Sequence, residues 1–264
     1  MKSVAELLDL TGKTAIVTGG AAGIGQGISR RLAEAGASVL IADIDGEGAR
    51  LAAKELSEAG YRAAGTTADV GDEFDVRDVI DEAVRLFGGV DILVNNAGIY
   101  PNVPLAELEP GTFDRVVAVN LRGVYLFTKF TSELMKKQGR GGRIINVTSI
   151  DALHPSMIGL AAYDATKHGV WGFTKNAAAE LTPFGILVNA VAPGGVVTPG
   201  TQGMTGPADG ADAEALQAAF LAKIPMRRMG EPDEIGKVVL FLASDMASYM
   251  TGSQVVVDGG ALLS

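Results

Sequence analysis

The 264-residue chain contains no cysteine. That excludes a disulfide framework, a thiol nucleophile and a thiolate metal site, and it fits a reducing cytoplasm. It has only two histidines, His154 and His168, with no carboxylate cluster beside them, so no metal centre is expected. Basic residues number 22 against 31 acidic ones, a formal net charge of −9. That balance speaks against nucleic acid or an anionic membrane as partner. No apolar run approaches the ~20 residues of a membrane span. The first ten residues carry Glu6 and Asp9 without a long apolar stretch, so no secretory leader is expected. Repeats, low-complexity tracts, like-charged tails and composition shifts are also missing, which leaves one domain over residues 1–264 as the expectation.

What is abundant is apolar sequence, 47% of the chain, and glycine, 35 residues. The glycines gather first in Thr14-Ala-Ile-Val-Thr-Gly-Gly-Ala-Ala-Gly-Ile-Gly25. Ala15-Ile16-Val17 is a buried-strand pattern. Gly19, Gly20, Gly23 and Gly25 make a bend, and Ile24, Ile28, Leu32 and Ala35 recur at helical spacing. Strand, glycine bend and helix present backbone N–H groups and a positive helix end to a phosphate. The spacing Gly19-x3-Gly23-x-Gly25 is neither G-x-G-x-x-G nor a P-loop, so the motif is weak alone. A second strand, 38–43, ends in Asp43, 18 residues beyond Gly25. That is near the ~20 expected of a carboxylate binding the adenine ribose.

Further along, Gly46 to Ala59 has helical spacing, with Ala49, Leu51, Ala52, Ala53 and Leu56 facing inward. Strand 62–68 follows. The helix Asp72 to Phe87 turns Val76, Val79, Ile80, Ala83, Val84 and Phe87 inward. A strand from Asp91 runs into Asn95-Asn-Ala-Gly98, and one long helix is expected from Thr112 to Lys137. Gly139-Arg-Gly-Gly-Arg143 suggests a solvated basic loop. Strand 143–148, helix Ala161 to Leu181, strand 186–191, helix Pro232 to Ser244 and strand Gln254 to Val257 complete the alternation. Between them, Thr198 to Met229 is rich in Gly, Pro and Ala, with a helical patch at 213–222, and suggests a substrate lid. Met204, Met226 and Met229 within it suit lid or core packing. Alternating strands and helices predict an α/β fold, a parallel sheet covered on both faces.

Two polar residues in the helix 161–181, Tyr163 and Lys167, stand at i and i+4, on one face, so their polar ends can converge. Together these motifs resemble the short-chain dehydrogenase/reductase family: Thr18-Gly-Gly-Ala-Ala-Gly-Ile-Gly25, Asn95-Asn-Ala-Gly98, Asn120, Ser149, Tyr163-x-x-x-Lys167 and Pro193-Gly194 with Thr198. The resemblance runs from Thr14 to about Gly260. It implies a single doubly wound Rossmann-type sheet of about seven parallel strands, with the ligand at their carboxyl ends.

The resemblance also implies the roles. Tyr163 exchanges the proton of a secondary alcohol, Ser149 hydrogen-bonds the substrate oxygen, Lys167 holds the nicotinamide ribose, and Asn120 supports a water in the proton relay. Gly19, Gly23, Ile24 and Gly25 line the pyrophosphate. Asp69 and Val70 flank the adenine, with a turn-capping role for Asp69 as the alternative. Asn96, Ala97 and Gly98 pass beneath the adenosine, and Pro193, Gly194, Val196 and Thr198 meet the nicotinamide. A free tyrosine ionises near ~10; the lysine cation and an oxidised nicotinamide ring favour its phenolate. Asp43 would repel a 2′-phosphate, and no basic residue lies in Gly20-Ala21-Ala22 or directly after Asp43, so NAD is the expected cofactor.

The step from Ser149 to Tyr163 is 14, one more than the family commonly shows, so the substrate wall carries an extra residue. In that wall Asp151 either faces a polar, hydroxylated substrate or caps the loop, and His154 can touch substrate. His168 suits a helix surface. The expected activity is an NAD-dependent secondary-alcohol dehydrogenase, with polyols or sugars as candidate substrates. A 3-oxoacyl thioester reductase and a silent NAD-binding protein are the alternatives. A cytoplasmic homo-oligomer, a tetramer by resemblance, is expected.

Overall fold

The computed structural model describes residues 1–202 and 221–263. Met204, the patch at 213–220 and most of the expected lid lie outside the described residues. Elements follow the chain as α1 (Val4–Leu8), β1 (Thr14–Thr18), α2 (Gly23–Glu34), β2 (Ser38–Asp43), α3 (Gly46–Glu58), β3 (Ala63–Thr67), α4 (Glu73–Phe87) and β4 (Ile92–Asn95). Then come α5 (Pro110–Val117), α6 (Gly123–Gln138), β5 (Gly142–Val147), α7 (Ala161–Leu181), β6 (Ile186–Pro193), α8 (Pro199–Gln202), α9 (Pro232–Ala243) and β7 (Gln254–Val257). The strands form one seven-stranded sheet in the order β3-β2-β1-β4-β5-β6-β7, parallel throughout. The order reverses between β1 and β4, and that switch point opens a crevice at the carboxyl ends of the strands.

Both faces are buried, and the strand period shows it. Ala15 and Val17 of β1 pack into one core with Ile28 and Leu32 of α2 and Ile235, Val239 and Leu242 of α9. Ile16, between them, enters the opposite core with Val79 of α4, Phe127 of α6 and Ala178 of α7. On the first face α2 and α9 approach closely. A Cβ on Gly27 would lie 2.7 Å from the Pro232 carbonyl carbon, and one on Gly236 2.6 Å from the Gly27 oxygen.

Four local expectations are corrected. Leu51 and Val84 face outward, because the buried stripes are Ala49, Ala52, Ala53 and Leu56 in α3 and Val76, Val79, Ile80 and Ala83 in α4. Each stripe is filled at i, i+3, i+4 and i+7, and Leu51 and Val84 fall off it. The expected helix 112–137 is two helices, α5 and α6, joined by a π-type turn at Ala118–Arg122. The basic segment 139–143 is not simply solvated: Gly142 and Arg143 open β5, and Arg140 makes a two-pronged ion pair with buried Asp91 at 2.6 and 3.2 Å. Asp91 also accepts the Thr14 N–H at 3.0 Å, and a buried carboxylate requires such partners. Among the described residues, no helix is long and apolar enough to cross a membrane.

Candidate active site

The glycine bend connects β1 to α2, and its glycines are needed for different reasons. Gly19 has φ +62°, and a Cβ there would stand 2.7 Å from Ala97 Cα. A Cβ on Gly25 would stand 2.1 Å from the Gly19 carbonyl oxygen. Gly23, at φ +54°, brings the bend against Thr198, whose Cγ2 would be 3.1 Å from a Cβ at Gly23. Ala22 caps α2 without a side-chain hydrogen bond, so no side chain at the cap competes with an anion for the first N–H groups. Ile24 anchors the helix start against the core.

Asp43, at the end of β2, turns back onto this bend. Its Oδ2 accepts the Ala21 N–H at 3.0 Å and its Oδ1 the Asp45 N–H at 3.1 Å. A carboxylate has about four acceptor positions, so acceptor capacity remains for ribose hydroxyls. Asn96 closes the floor: its Nδ2 donates to the carbonyls of Thr18 and Gly19 at 3.0 and 2.9 Å. Thr18 Oγ1 accepts the N–H groups of Asn96 and Ala97. Asp69 is exposed and caps its own turn, accepting the Gly71 N–H at 2.8 Å. Buried Val70 packs on Gly123. Pro193 ends β6, Gly194 N–H donates to Val257 at 3.0 Å, and Val196 bridges Gly230. A Gly-lined cradle that a Cβ would fill, an uncapped helix start and an anchored carboxylate fit a dinucleotide.

The polar residues expected to do chemistry converge beside this cradle. Asn120 is fully buried in the π-type turn. Its amide clamps the backbone of Ile99, accepting N–H and donating to C=O at 2.8 Å each, and donates to Thr166 Oγ1 at 3.2 Å. The turn thus holds the loop after β4 against α7. Lys167 is 4% exposed, and its Nζ donates to the Val147 carbonyl at 2.8 Å. The same Nζ lies 5.4 Å from the Tyr163 ring centroid. Gly98 lies against both Asn120 and Lys167. Tyr100 stacks edge-on against Tyr163 with centroids 5.9 Å apart.

Ser149 and Asp151 are buried at the start of the loop after β5. Ser149 Oγ donates to Asp151 Oδ2 at 2.8 Å, and Ser156 N–H donates to Asp151 Oδ1 at 2.8 Å. His154 is exposed on the same loop. His168 is exposed on α7, its Nδ1 2.9 Å from the Asp164 carbonyl. Among the described residues no cluster could hold a metal ion. The Val147 carbonyl and Thr166 were not expected in the site. A carbonyl leaves no mark on a sequence; Thr166, between Tyr163 and Lys167, could have been noticed there.

One electrostatic expectation is reversed in the protein alone. Burial pushes the Tyr163 phenol well above its ordinary range; the nearby Ser149 hydroxyl opposes this, while Asp151, Tyr100 and Asp164 add to it. Burial also lowers Lys167 to about 8, against the opposing effect of Asp151. The lysine therefore does not by itself make a phenolate here, because loss of water outweighs the paired charge.

A family model described as enoyl-(acyl carrier protein) reductase matches residues 19–261. The 3-oxoacyl-[acyl-carrier-protein] reductase of Aquifex aeolicus is 38% identical over 96% of this chain and 98% of its own. The 3beta-hydroxysteroid dehydrogenase 2 of Eggerthella lenta is 40% identical over 95% of each chain. A crystal structure of a short-chain type dehydrogenase/reductase from Mycobacterium marinum superposes with TM-score 0.91 at 36% identity, covering 98% of this chain and 99% of that one. A candidate 2-deoxy-D-gluconate 3-dehydrogenase from Agrobacterium tumefaciens, solved with NADP bound, superposes with TM-score 0.87 at 33% identity, over 98% and 99%. The fold and the site define a nicotinamide-dinucleotide-dependent oxidoreductase acting on a small molecule. The chain belongs to the short-chain dehydrogenase/reductase family.

Proposed function

We propose that this protein oxidises a neutral secondary alcohol, or reduces its ketone, with NAD as the hydride carrier. The observation that carries the reading is the convergence of Tyr163, Ser149 and Lys167 beside the glycine cradle. In this reading Tyr163 exchanges the proton of the carbinol oxygen and Ser149 orients that oxygen. Lys167 meets the ribose and electrostatically assists Tyr163, and Asn120 holds the loop on which they depend. The cradle residues Gly19, Gly23, Ile24, Gly25, Asn96, Ala97 and Gly98 contact the cofactor. So do Asp69, Val70, Pro193, Gly194, Val196 and Thr198.

NAD rather than NADP is supported by Asp43, an anchored carboxylate with no Arg or Lys in Gly20-Ala21-Ala22 or directly after it in the chain to accept a 2′-phosphate. A neutral and hydroxylated substrate, a polyol or sugar, is supported by the Asp151 carboxylate beside Ser149, which would repel an anion. His154, on the same loop, is the second substrate-side residue of this reading. The 3-oxoacyl thioester reduction named for the Aquifex relative is the second reading, and Asp43 weighs against the NADPH it usually takes. A silent dinucleotide-binding protein has no use for the full Asn120, Ser149, Tyr163 and Lys167 set. A cytoplasmic homotetramer formed by one domain is part of the proposal; exposed Phe113, Tyr125 and Val256, on α5, α6 and β7, support association through those elements.

The test is a panel of neutral alcohols, sugars and 3-oxoacyl thioesters with NAD(H) and NADP(H), following reduced cofactor by absorbance. Turnover of a neutral alcohol with NAD is expected. Activity confined to thioesters with NADPH would replace this reading with the second.

A further inference from the structure

Asp151 has a place in the site beyond its bearing on substrate charge. It is 5% exposed, and two donors converge on it: the Ser149 hydroxyl on Oδ2 and the Ser156 N–H on Oδ1. Ser149 Oγ in turn accepts the Asp151 N–H at 3.1 Å. A hydroxyl has one proton and two acceptor positions. With its proton donated to the carboxylate and one lone pair taken by the amide, the Ser149 hydroxyl is fixed by Asp151 through two bonds, and both residues act on the Tyr163 phenol, Ser149 favouring its ionisation and the Asp151 charge opposing it.

We infer that Asp151 is a positioning residue for the Ser149–Tyr163 pair: its carboxylate fixes the Ser149 hydroxyl, holding its proton until a substrate oxygen claims it, and sets a negative charge beside the phenol. The inference rests on the function proposed above, which gives that pair its roles. A substrate oxygen must draw the Ser149 proton away from Asp151, so the carboxylate competes with substrate for it. The groups facing Tyr163 are Asp151 from this loop, Tyr100 from the loop after β4, and Asp164 and Lys167 from α7, with His168 acting on Asp164. Asp151 alone among these charged groups also holds Ser149.

Asp151→Asn keeps the size but offers one acceptor oxygen to two donors and removes the charge. Protein labelled with 3-fluorotyrosine reports each tyrosine by fluorine NMR without cofactor or substrate, and Tyr163→Phe assigns the Tyr163 signal. Its ionisation midpoint should fall by roughly 0.5–1 pH unit in Asp151→Asn and stay near the parent's in Asp151→Glu. In alcohol oxidation, Asp151→Asn should lower kcat about tenfold alone and add little to Ser149→Ala, as coupled residues do. An unchanged midpoint in Asp151→Asn, or full additivity with Ser149→Ala, overturns the inference. Lack of turnover by the unmutated protein would sink the proposed function instead, while the NMR midpoints still judge Asp151.

Discussion

Lys167 Nζ donates to the main-chain carbonyl of Val147, 2.8 Å away at the end of β5, inside a site where the lysine is almost wholly buried. A buried ammonium keeps its charge only with such partners, and here burial still lowers its pKa from the ordinary 10.5 to about 8. The pH dependence of stability follows. Between about 8 and 10.5 the unfolded chain holds the lysine proton and the folded one releases it. Stability contributed through Lys167 therefore rises with pH across that window, by up to ~1.4 kcal/mol per unit. In urea unfolding at several pH values, the stability of the parent minus that of Lys167→Met should climb from about pH 8 to about pH 10. A flat difference would mean that Lys167 titrates alike in both states.

Asp43 is held by Ala21, so it guards the bend and the ribose position together. Asp43→Ala removes the repulsion of a 2′-phosphate and the acceptors for the ribose hydroxyls. The ratio of kcat/KM for NAD over NADP should fall by roughly 10–100-fold, tenfold being ~1.4 kcal/mol. Comparable kcat/KM for the two cofactors in the unmutated protein would show that the carboxylate does not select.

Gly25 has an ordinary φ and needs its hydrogen for space alone, since a Cβ would stand 2.1 Å from the Gly19 oxygen. Gly25→Ala must move the bend. Overpacking of this kind costs typically ~1–3 kcal/mol, and the displaced N–H groups should weaken dinucleotide binding at least tenfold. Gly60→Ala is the control. A Cβ there meets nothing within 4 Å, so only the strain of φ +90° is felt and cofactor binding should hold. Equal binding losses in both variants would rule out a local effect.

Features set by periodicity were legible in the sequence. Ala15, Ile16 and Val17 alternate between two cores, Asp43 falls at a strand end, and Tyr163 and Lys167 share a helix face. What was not legible depends on partners distant in the chain. Asn120 stands in a π-type turn where it clamps the backbone of Ile99, and nothing in the sequence around it says so. Arg140 leaves the expected solvated loop to meet Asp91, 49 residues earlier. The upward shift of Tyr163 in the protein alone was not legible because residue types state charge but not desolvation, and desolvation dominates it.

That last point shapes the test of the base. With its ionisation pushed upward in the protein alone, Tyr163 can act near neutrality only if the bound, oxidised cofactor supplies the missing positive charge. Alcohol oxidation should rise with pH through an apparent Tyr163 ionisation and then level off, with a midpoint below that of the free protein. Tyr163→Phe keeps the ring against Tyr100 and removes the acceptor. It should lower kcat roughly 10²–10⁴-fold, the usual worth of general acid–base catalysis, while leaving NAD affinity nearly intact. Lys167→Ala should damage both, because the lysine meets the ribose as well as the phenol. Titration of NAD binding beside steady-state kinetics separates the two outcomes. Near-full activity of Tyr163→Phe across the pH range would show that another group moves the proton.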